Sequence, residues 1–440
     1  MKFAKILVST RTKLPTKEAD KLTNCSRGIH NAWHFHYALV LVFKVVCGSI
    51  GIALLTAYQG AICLINLKFG EKMKTVYVLG AGFSVEAGAP TQLNILPEAM
   101  RLFGENPTQF DENKFSVFTG FLTKQLGYTE DSIASVELED IFTPLDRCLT
   151  DNTQFRGIGL TQIMDVREAV FYVVGRTIQL VLRQKNKNKY YINDFAKYLV
   201  SRSSQRLNGN YRQIDPVSVI STNWDILLDN SIYSNILDQR HNAVVDYCCY
   251  ISSRDELDES IKPGLEKLGQ GGFNVKLLKL HGSLNWLQCP RCMRLYARFF
   301  RKDGVLDYSN LESCRHCDRN FPEEQDNHKL ASNLIMPTFI KDLSNPQYKI
   351  IWQNAGIEVS EAEKLVFIGY SLPNADFEMR QLLSRMTRKN AQIEVVDFCN
   401  DENAREVKKN HWKNFFGQRN IEFHFDGASQ YISALVEQDS

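Results

Sequence analysis

The sequence has no internal repeat and no low-complexity tract, and its 440 residues sum to almost no net charge, a formal +2. Without repeats, solenoid and array architectures fall away. The near-zero charge hides an asymmetry. Residues 1–72 hold ten Lys/Arg against three Asp/Glu, leaving 42 against 47 in the other 368, a charge of −5. The body of the chain therefore lacks a basic excess, which gives no support for direct nucleic-acid binding. Composition is otherwise ordinary: 44% hydrophobic and 23% charged residues suffice to bury a full core, and the length allows two or three domains.

Residues 1–72 form a leader. It contains "VVCGSIGIALLTAYQGAICLINL", residues 45–67, which is uncharged between Lys44 and Lys68. Its length and apolarity make it a candidate transmembrane helix. It begins too late and runs too long for a signal peptide. Eight basic residues precede it, so a spanning helix would place the body on the non-cytoplasmic side. The other reading is a gene-start overcall, with Met73 as the true first residue of a body at 73–440. Residues 8–36 show no sustained periodicity.

The body alternates strand-like and helical patterns. "TVYVLG" stops at Gly80, and similar short apolar runs recur at 217–222, 275–280, 364–370 and 391–396. From about 92 to 200 the spacing of apolar residues predicts helices, a helical insertion, while "KNKNK" at 185–189 reads as a solvated turn. A last strand and a closing helix fit "NIEFHFDGASQYISALVEQ". Strands alternating with helices imply an α/β fold whose parallel sheet is covered on both faces. Ligands bind such sheets beyond the carboxyl ends of the strands. Attention therefore falls on the loops that leave those ends: "GAGFS", "NWD", "HGS" and "GYSLPNAD".

Gly80 and Gly82 lie between a strand and a helix, where glycine permits a tight turn and close approach of phosphate to backbone amides. The loop lacks the third glycine of the common dinucleotide fingerprint, and such a turn is as often structural. His281 directly follows a strand, and Asn223 and Asp225 follow another. A lone histidine is commonly structural, and a loop asparagine is commonly a cap; position at the strand ends favours function. Cys289, Cys292, Cys314 and Cys317 read C-x2-C, 21 residues, C-x2-C, the spacing of a four-cysteine zinc site, within a module at about 287–320. Basic residues between the pairs are interleaved with Asp303, Asp307 and Glu312, as on a solvated surface. The other seven cysteines show no paired spacing, which suits a reducing compartment.

Taken in order, Gly80-Ala81-Gly82-x-Ser84 with Gly88-Ala89-Pro90, Asn223-x-Asp225, His281-Gly282, two cysteine pairs and Gly369-x-Ser371-Leu372 resemble the sirtuin superfamily. The pattern is most similar to the bacterial sirtuin-like branch associated with anti-phage defence, and it spans about 75 to 400. The resemblance implies a Rossmann-like sheet that binds NAD+ as substrate, a helical insertion and a small zinc module. It implies that Gly80, Ala81, Gly82 and Ser84 hold the pyrophosphate and that Asn223 and Asp225 sit at the nicotinamide ribose. His281 would be the general base. Gly369 and Ser371 would line the adenosine side, with Asp397 or Asn400 near its ribose.

Protein-deacylating sirtuins continue the glycine loop with Pro-Asp-Phe-Arg, whereas here Pro90 leads into Thr91-Gln92-Leu93. The usual Thr-Gln-Asn-Ile-Asp reads Ser221-Thr222-Asn223-Trp224-Asp225, and "LIMPTFIKD" replaces the lead to an acyl-lysine strand. These departures touch the acyl-lysine groove more than the NAD+ site. They favour an NAD+ glycohydrolase, a triggered NAD-depleting effector acting as a homo-oligomer or with a partner protein. The alternatives are an NAD-dependent deacylase, a non-catalytic NAD or ADP-ribose sensor, and a zinc-ribbon adaptor. A thiolate zinc cluster and an NAD-consuming site both suit the cytoplasm; the protein would be membrane-anchored only if 45–67 spans.

Overall fold

The computed structural model describes residues 73–183, 188–205, 215–254, 261, 264–299, 312–336, 341, 343, 345–417 and 419–439. The leader, its segment 45–67 and most of "KNKNK" lie outside these. No described helix is long and apolar enough to cross a membrane.

Eleven strands are described. They are β1 (Thr75–Leu79), β2 (Val217–Ser221), β3 (Ala243–Asp246), β4 (Ile251–Ser253), β5 (Phe273–Lys279), β6 (Gly282–Gln288), β7 (Leu295–Ala297), β8 (Ala331–Leu334), β9 (Lys364–Ile368), β10 (Gln392–Val396) and β11 (Ile421–His424). Seven form one sheet in the order β11-β10-β9-β1-β2-β5-β3, and every pairing in it is parallel. The other four form a small mixed sheet, β4-β7-β6-β8.

The central strands are unbroken apolar runs because both faces are covered. All five residues of β1 and of β2 are buried, so neither strand shows the alternation of a half-exposed sheet. The α/β, Rossmann-like architecture read from the sequence is the one observed. β1 sits between β2 and β9, with Leu79 opposite both Ser221 and Ile368. Three loops thus leave the sheet side by side, and β5 adds a fourth next to β2.

The helices between residues 95 and 183, including Leu138–Asp151 and Leu160–Arg183, form a second hydrophobic core around Phe115, Phe118, Phe142 and Val170. The next helix, Tyr190–Ser204, belongs to the sheet: Tyr191, Phe195 and Leu199 join the core of Tyr77 and Val219. Stacked and edge-on aromatics fasten it there, with Tyr77 and Phe195 ring centroids 5.0 Å apart. Tyr190–Ser204 thus packs on the sheet, apart from the core of the helices before it.

Two features escape the sequence pattern. β3 extends the sheet beyond β5, and the small sheet β4-β7-β6-β8, with β6 as "GSLNWLQ", lies wholly outside the strand-like runs of the sequence. In β6 the polar Ser283 and Asn285 are fully buried, so hydrophobic periodicity does not announce it.

Candidate active site at the strand ends

The loop after β1 packs directly on the loop after β9. A Cβ on Gly369, whose φ is +61°, would lie 2.1 Å from the Phe83 nitrogen; one on Gly80 would lie 2.5 Å from the Gly369 oxygen. Glycine is required here because two backbones meet. The amides of the turn are used internally. Gly80 N–H donates to Ile368 O (3.1 Å), Gly82 N–H to Gly369 O (2.9 Å), Phe83 N–H to Gly80 O (2.9 Å) and Ser84 N–H to Ala81 O (3.1 Å). The following helix, Gly82–Val85, is only four residues long. Gly80 and Gly82 therefore shape the turn instead of offering their amides to a phosphate, and Ala81 is its exposed residue.

Asn223 and Asp225 join this turn from β2. Asn223 Nδ2 donates to Gly80 O at 2.8 Å and lies 3.5 Å from Ser84 Oγ. Asp225 accepts from Leu227 N–H at 3.1 Å, at the start of helix Leu227–Asp238. Both residues are largely buried. Burial pushes the Asp225 carboxyl up, with Lys279, the Leu227 amide and Ser84 acting against it. Lys279, the last residue of β5, is itself buried; it donates to Asp225 O (2.6 Å) and pairs with Asp229 (3.3 Å). Asp225 is thus a buried tie between the glycine turn, the helix start and β5.

His281 stands on the neighbouring strand end. Leu280 N–H donates to Ser221 O (3.0 Å), which fixes the β5 loop beside the β2 loop, and His281 O accepts from Ile335 N–H (3.0 Å). The imidazole is 8% exposed. Its Nε2 faces Asp376 Oδ1 at 3.4 Å, without hydrogen-bond alignment. Asp376 ends the loop that leaves β9, so this loop crosses the ends of β1 and β2 to reach His281. That crossing is three inter-strand steps, roughly 14 Å.

Asp376 is the residue the sequence reading passed over, although "GYSLPNAD" contains it. Tyr370 OH donates to its Oδ2 at 2.8 Å, and Lys341 Nζ stands 3.1 Å from its Oδ1. Burial alone would raise the Asp376 carboxyl; His281, Lys341 and Tyr370 outweigh it and hold the group well below the usual carboxylate range. The loop is anchored through Leu372, whose carbonyl accepts from Arg380 (3.0 Å) and lies 3.1 Å from His411 Nε2.

The remaining predicted residues lie farther along the same edge. Ser371 is exposed on the β9 loop. Asp397, after β10, accepts from Phe398 N–H (2.8 Å) and pairs with Lys408; Asn400 is exposed.

The four cysteines meet at one point. Cys289 and Cys317 sulfurs are 3.8 Å apart, Cys292 and Cys314 sulfurs 3.7 Å apart, and all four lie within 4.8 Å of one another. A tetrahedron of Zn–S bonds near 2.3 Å has edges of ~3.8 Å, whereas a disulfide needs ~2.05 Å. The set fits a structural zinc. Each pair sits in a backbone knuckle, with Met293 N–H donating to Cys289 O and Asp318 N–H to Cys314 O. Leu287, Tyr296 and Leu330 wall the cluster, and Tyr296 OH lies 3.2 Å from Cys314 Sγ.

No protein-family model matches this chain, and no curated protein does. Among solved structures it is similar to one described as the structural basis for sirtuin substrate affinity, at 14% identity over 83% of this chain and 93% of that one, with a TM-score of 0.33. It is likewise similar to a Sir2 bound to acetylated peptide (14% identity, 83% and 93% covered, TM-score 0.33). A third is Sir2Tm bound to a propionylated peptide (13% identity, 83% and 93% covered, TM-score 0.34).

Proposed function

We propose that this chain is an NAD+ glycohydrolase, cleaving the bond between nicotinamide and ribose with water. One observation carries the reading: Asn223 and His281, 58 residues apart in sequence, stand at the carboxyl ends of adjacent parallel strands, beside the glycine turn that Asn223 itself braces. That edge is where parallel α/β sheets bind ligands. Breaking the glycosidic bond builds positive charge on the sugar carbon, as in other glycoside cleavages. The site must hold the ribose, let nicotinamide leave and take a proton from water.

In this reading His281 accepts that proton, since histidine exchanges protons near neutral pH. Asn223 orients the ribose or the water, and Asp225 keeps the Asn223 loop and Ser84 in register. Gly80, Gly82 and Gly369 let the dinucleotide approach the backbone, with Ala81, Ser84 and Ser371 along its path and Asp397 or Asn400 at the far ribose. A zinc held by four thiolates has no open position and would serve folding alone. The same chemistry favours a reducing, NAD-rich cytoplasm. Control by self-association or a partner protein would suit an effector that depletes the cofactor in defence.

The test is nicotinamide release from NAD+ by the full chain, beside Asn223→Ala and His281→Ala. Release without any peptide, lost in both variants, is expected. Equal turnover in all three removes the site assignment. Release only with an acetyl-lysine peptide, accompanied by O-acyl-ADP-ribose, selects a deacylase; NAD+ binding without release selects a sensor.

A further inference from the structure

The loop Gly369–Asp376 ends on a buried carboxylate that faces the candidate base, and helix capping does not account for it. Asp376 makes no side-chain cap to helix Phe377–Met386, which begins at the next residue. Lys341 Nζ stands 3.1 Å from Asp376 Oδ1 and pairs more closely with Glu378, at 2.6 Å, so the lysine is shared between two carboxylates. Tyr370 occupies Oδ2 at 2.8 Å, which turns Oδ1 toward the His281 ring. That oxygen lies 3.4 Å from Nε2 in a setting where Asp376 is 6% exposed and His281 8%.

We propose that Asp376 is a positioning residue that keeps a proton on His281 Nε2 and leaves the Nδ1 lone pair as the basic atom of the site. A neutral imidazole has one protonated and one basic nitrogen, and the partner of the first selects the tautomer. The inference rests on the NAD+ hydrolase reading. There, water oxygen bonds to the sugar carbon as the carbon–nitrogen bond to nicotinamide breaks, and that electron pair leaves with the nicotinamide nitrogen. The water proton passes to Nδ1 and afterwards to solvent. For that interval His281 carries a positive charge in a nearly dry site, and Asp376 supplies the balancing negative charge. Carboxylate–imidazole pairs do this work in other hydrolytic sites. Lys341 and Tyr370 in turn hold Asp376 ionised and oriented.

The experiment uses the full chain, wild type beside Asp376→Asn, Asp376→Glu and His281→Ala. It measures kcat and KM for nicotinamide release, and the His281 tautomer from 15N chemical shifts of histidine-labelled protein. Asp376→Asn keeps the shape and removes the charge. It should lower kcat by about 10–100-fold, with KM within about twofold of wild type, and Asp376→Glu should recover part of the loss. Wild-type His281 should be protonated at Nε2, and Asp376→Asn should lose that preference. An unchanged kcat in Asp376→Asn alongside an inactive His281→Ala overturns the proposal. So does a rise in KM with kcat preserved, which would make Asp376 a ligand contact. Should wild type release no nicotinamide, the hydrolase reading falls on its own. The tautomer measurement then still decides the pairing: wild-type protonation at Nδ1 refutes it.

Discussion

At the amino-terminal end of the central sheet, Lys74, Lys276, Asp215, Glu358 and Glu361 close a network of opposite charges. At the carboxyl-terminal end, Lys341 pairs with Asp376 and Glu378, and His281 faces Asp376. Lys74 lies 2.9 Å from Glu358 and 2.6 Å from Glu361; Lys276 lies 2.6 Å from Glu358 and also pairs with Asp215. Every cation there has two anions in contact. Across the sheet, His281 Nε2 and Asp376 Oδ1 face each other at 3.4 Å without an aligned hydrogen bond, as is also true of Glu358 Oε2 at the first end. Both clusters are buried in the same fold. The first holds helix Pro346–Glu361 to β1 and β5; the second joins the β9 loop to the end of β5. Buried charge is thus no mark of function until its partners are counted.

The comparison is broken most directly by exchanging one residue at each end. His281→Ala should cut nicotinamide release by about 100-fold or more, the scale of a lost general base, while the thermal unfolding midpoint hardly moves. Glu358→Ala should do the reverse. It leaves Lys74 and Lys276 each short of a buried partner and should cost about 3–5 kcal/mol of stability, with turnover per folded molecule preserved. Parallel urea unfolding and activity measurements read both. If Glu358→Ala abolished turnover at full stability, or His281→Ala unfolded the chain, the division between the two ends would not stand.

Part of this division was legible in the sequence and part was not, for physical reasons. The strands of the large sheet announce themselves because burial on both faces demands runs such as "TVYVL" and "KLVFI". Asn223 and His281 were singled out because parallel sheets take ligands at strand ends, so a polar residue just past an apolar run has a predictable place. The four cysteines were found by spacing alone. β6 was hidden because one of its two buried faces carries Ser283 and Asn285 in place of apolar residues. The Asp376–His281 pairing was hidden because Asp376 lies eight residues beyond the end of β9, where no periodicity links it to His281. The Lys74–Glu358 pair joins residues 284 apart, and only the packing of a helix against the start of β1 brings them together. The Gly80 and Gly82 amides of the glycine turn bond to Ile368 and Gly369 at the end of β9, a pairing no local motif encodes.

A milder perturbation sharpens the same contrast through pH. Burial alone would push the Glu358 carboxyl up, but Lys276 and Lys74 reverse this and bring it from an ordinary 4.5 down to about 2. A carboxyl depressed in the folded state contributes stability that is present in full above its unfolded pKa and is lost as pH falls through the folded one. The contribution is roughly 3 kcal/mol. It should disappear between about pH 4.5 and pH 2. Unfolding midpoints across that range should fall steeply in wild type and less steeply in Glu358→Gln. Equal slopes would mean that Glu358 is not the group holding that end of the sheet against acid.

The smallest expected change decides how far along the carboxyl edge the working site extends. Asp397 follows β10, two strands from β1, and its pairing with Lys408 is partly exposed, with side chains 31% and 39% accessible. Such a pair contributes only about 0–1 kcal/mol to stability, so Asp397→Asn should leave the unfolding midpoint nearly unchanged. If Asp397 receives a ribose hydroxyl, as proposed, losing its charge weakens a charge-assisted hydrogen bond. That should raise KM for NAD+ by about tenfold at constant kcat, because the contact is made equally in ground and transition states. A KM identical to wild type would assign Asp397 to Lys408 alone. The site would then end at the β9 loop, where Gly369 meets the glycine turn and Asp376 reaches across to His281.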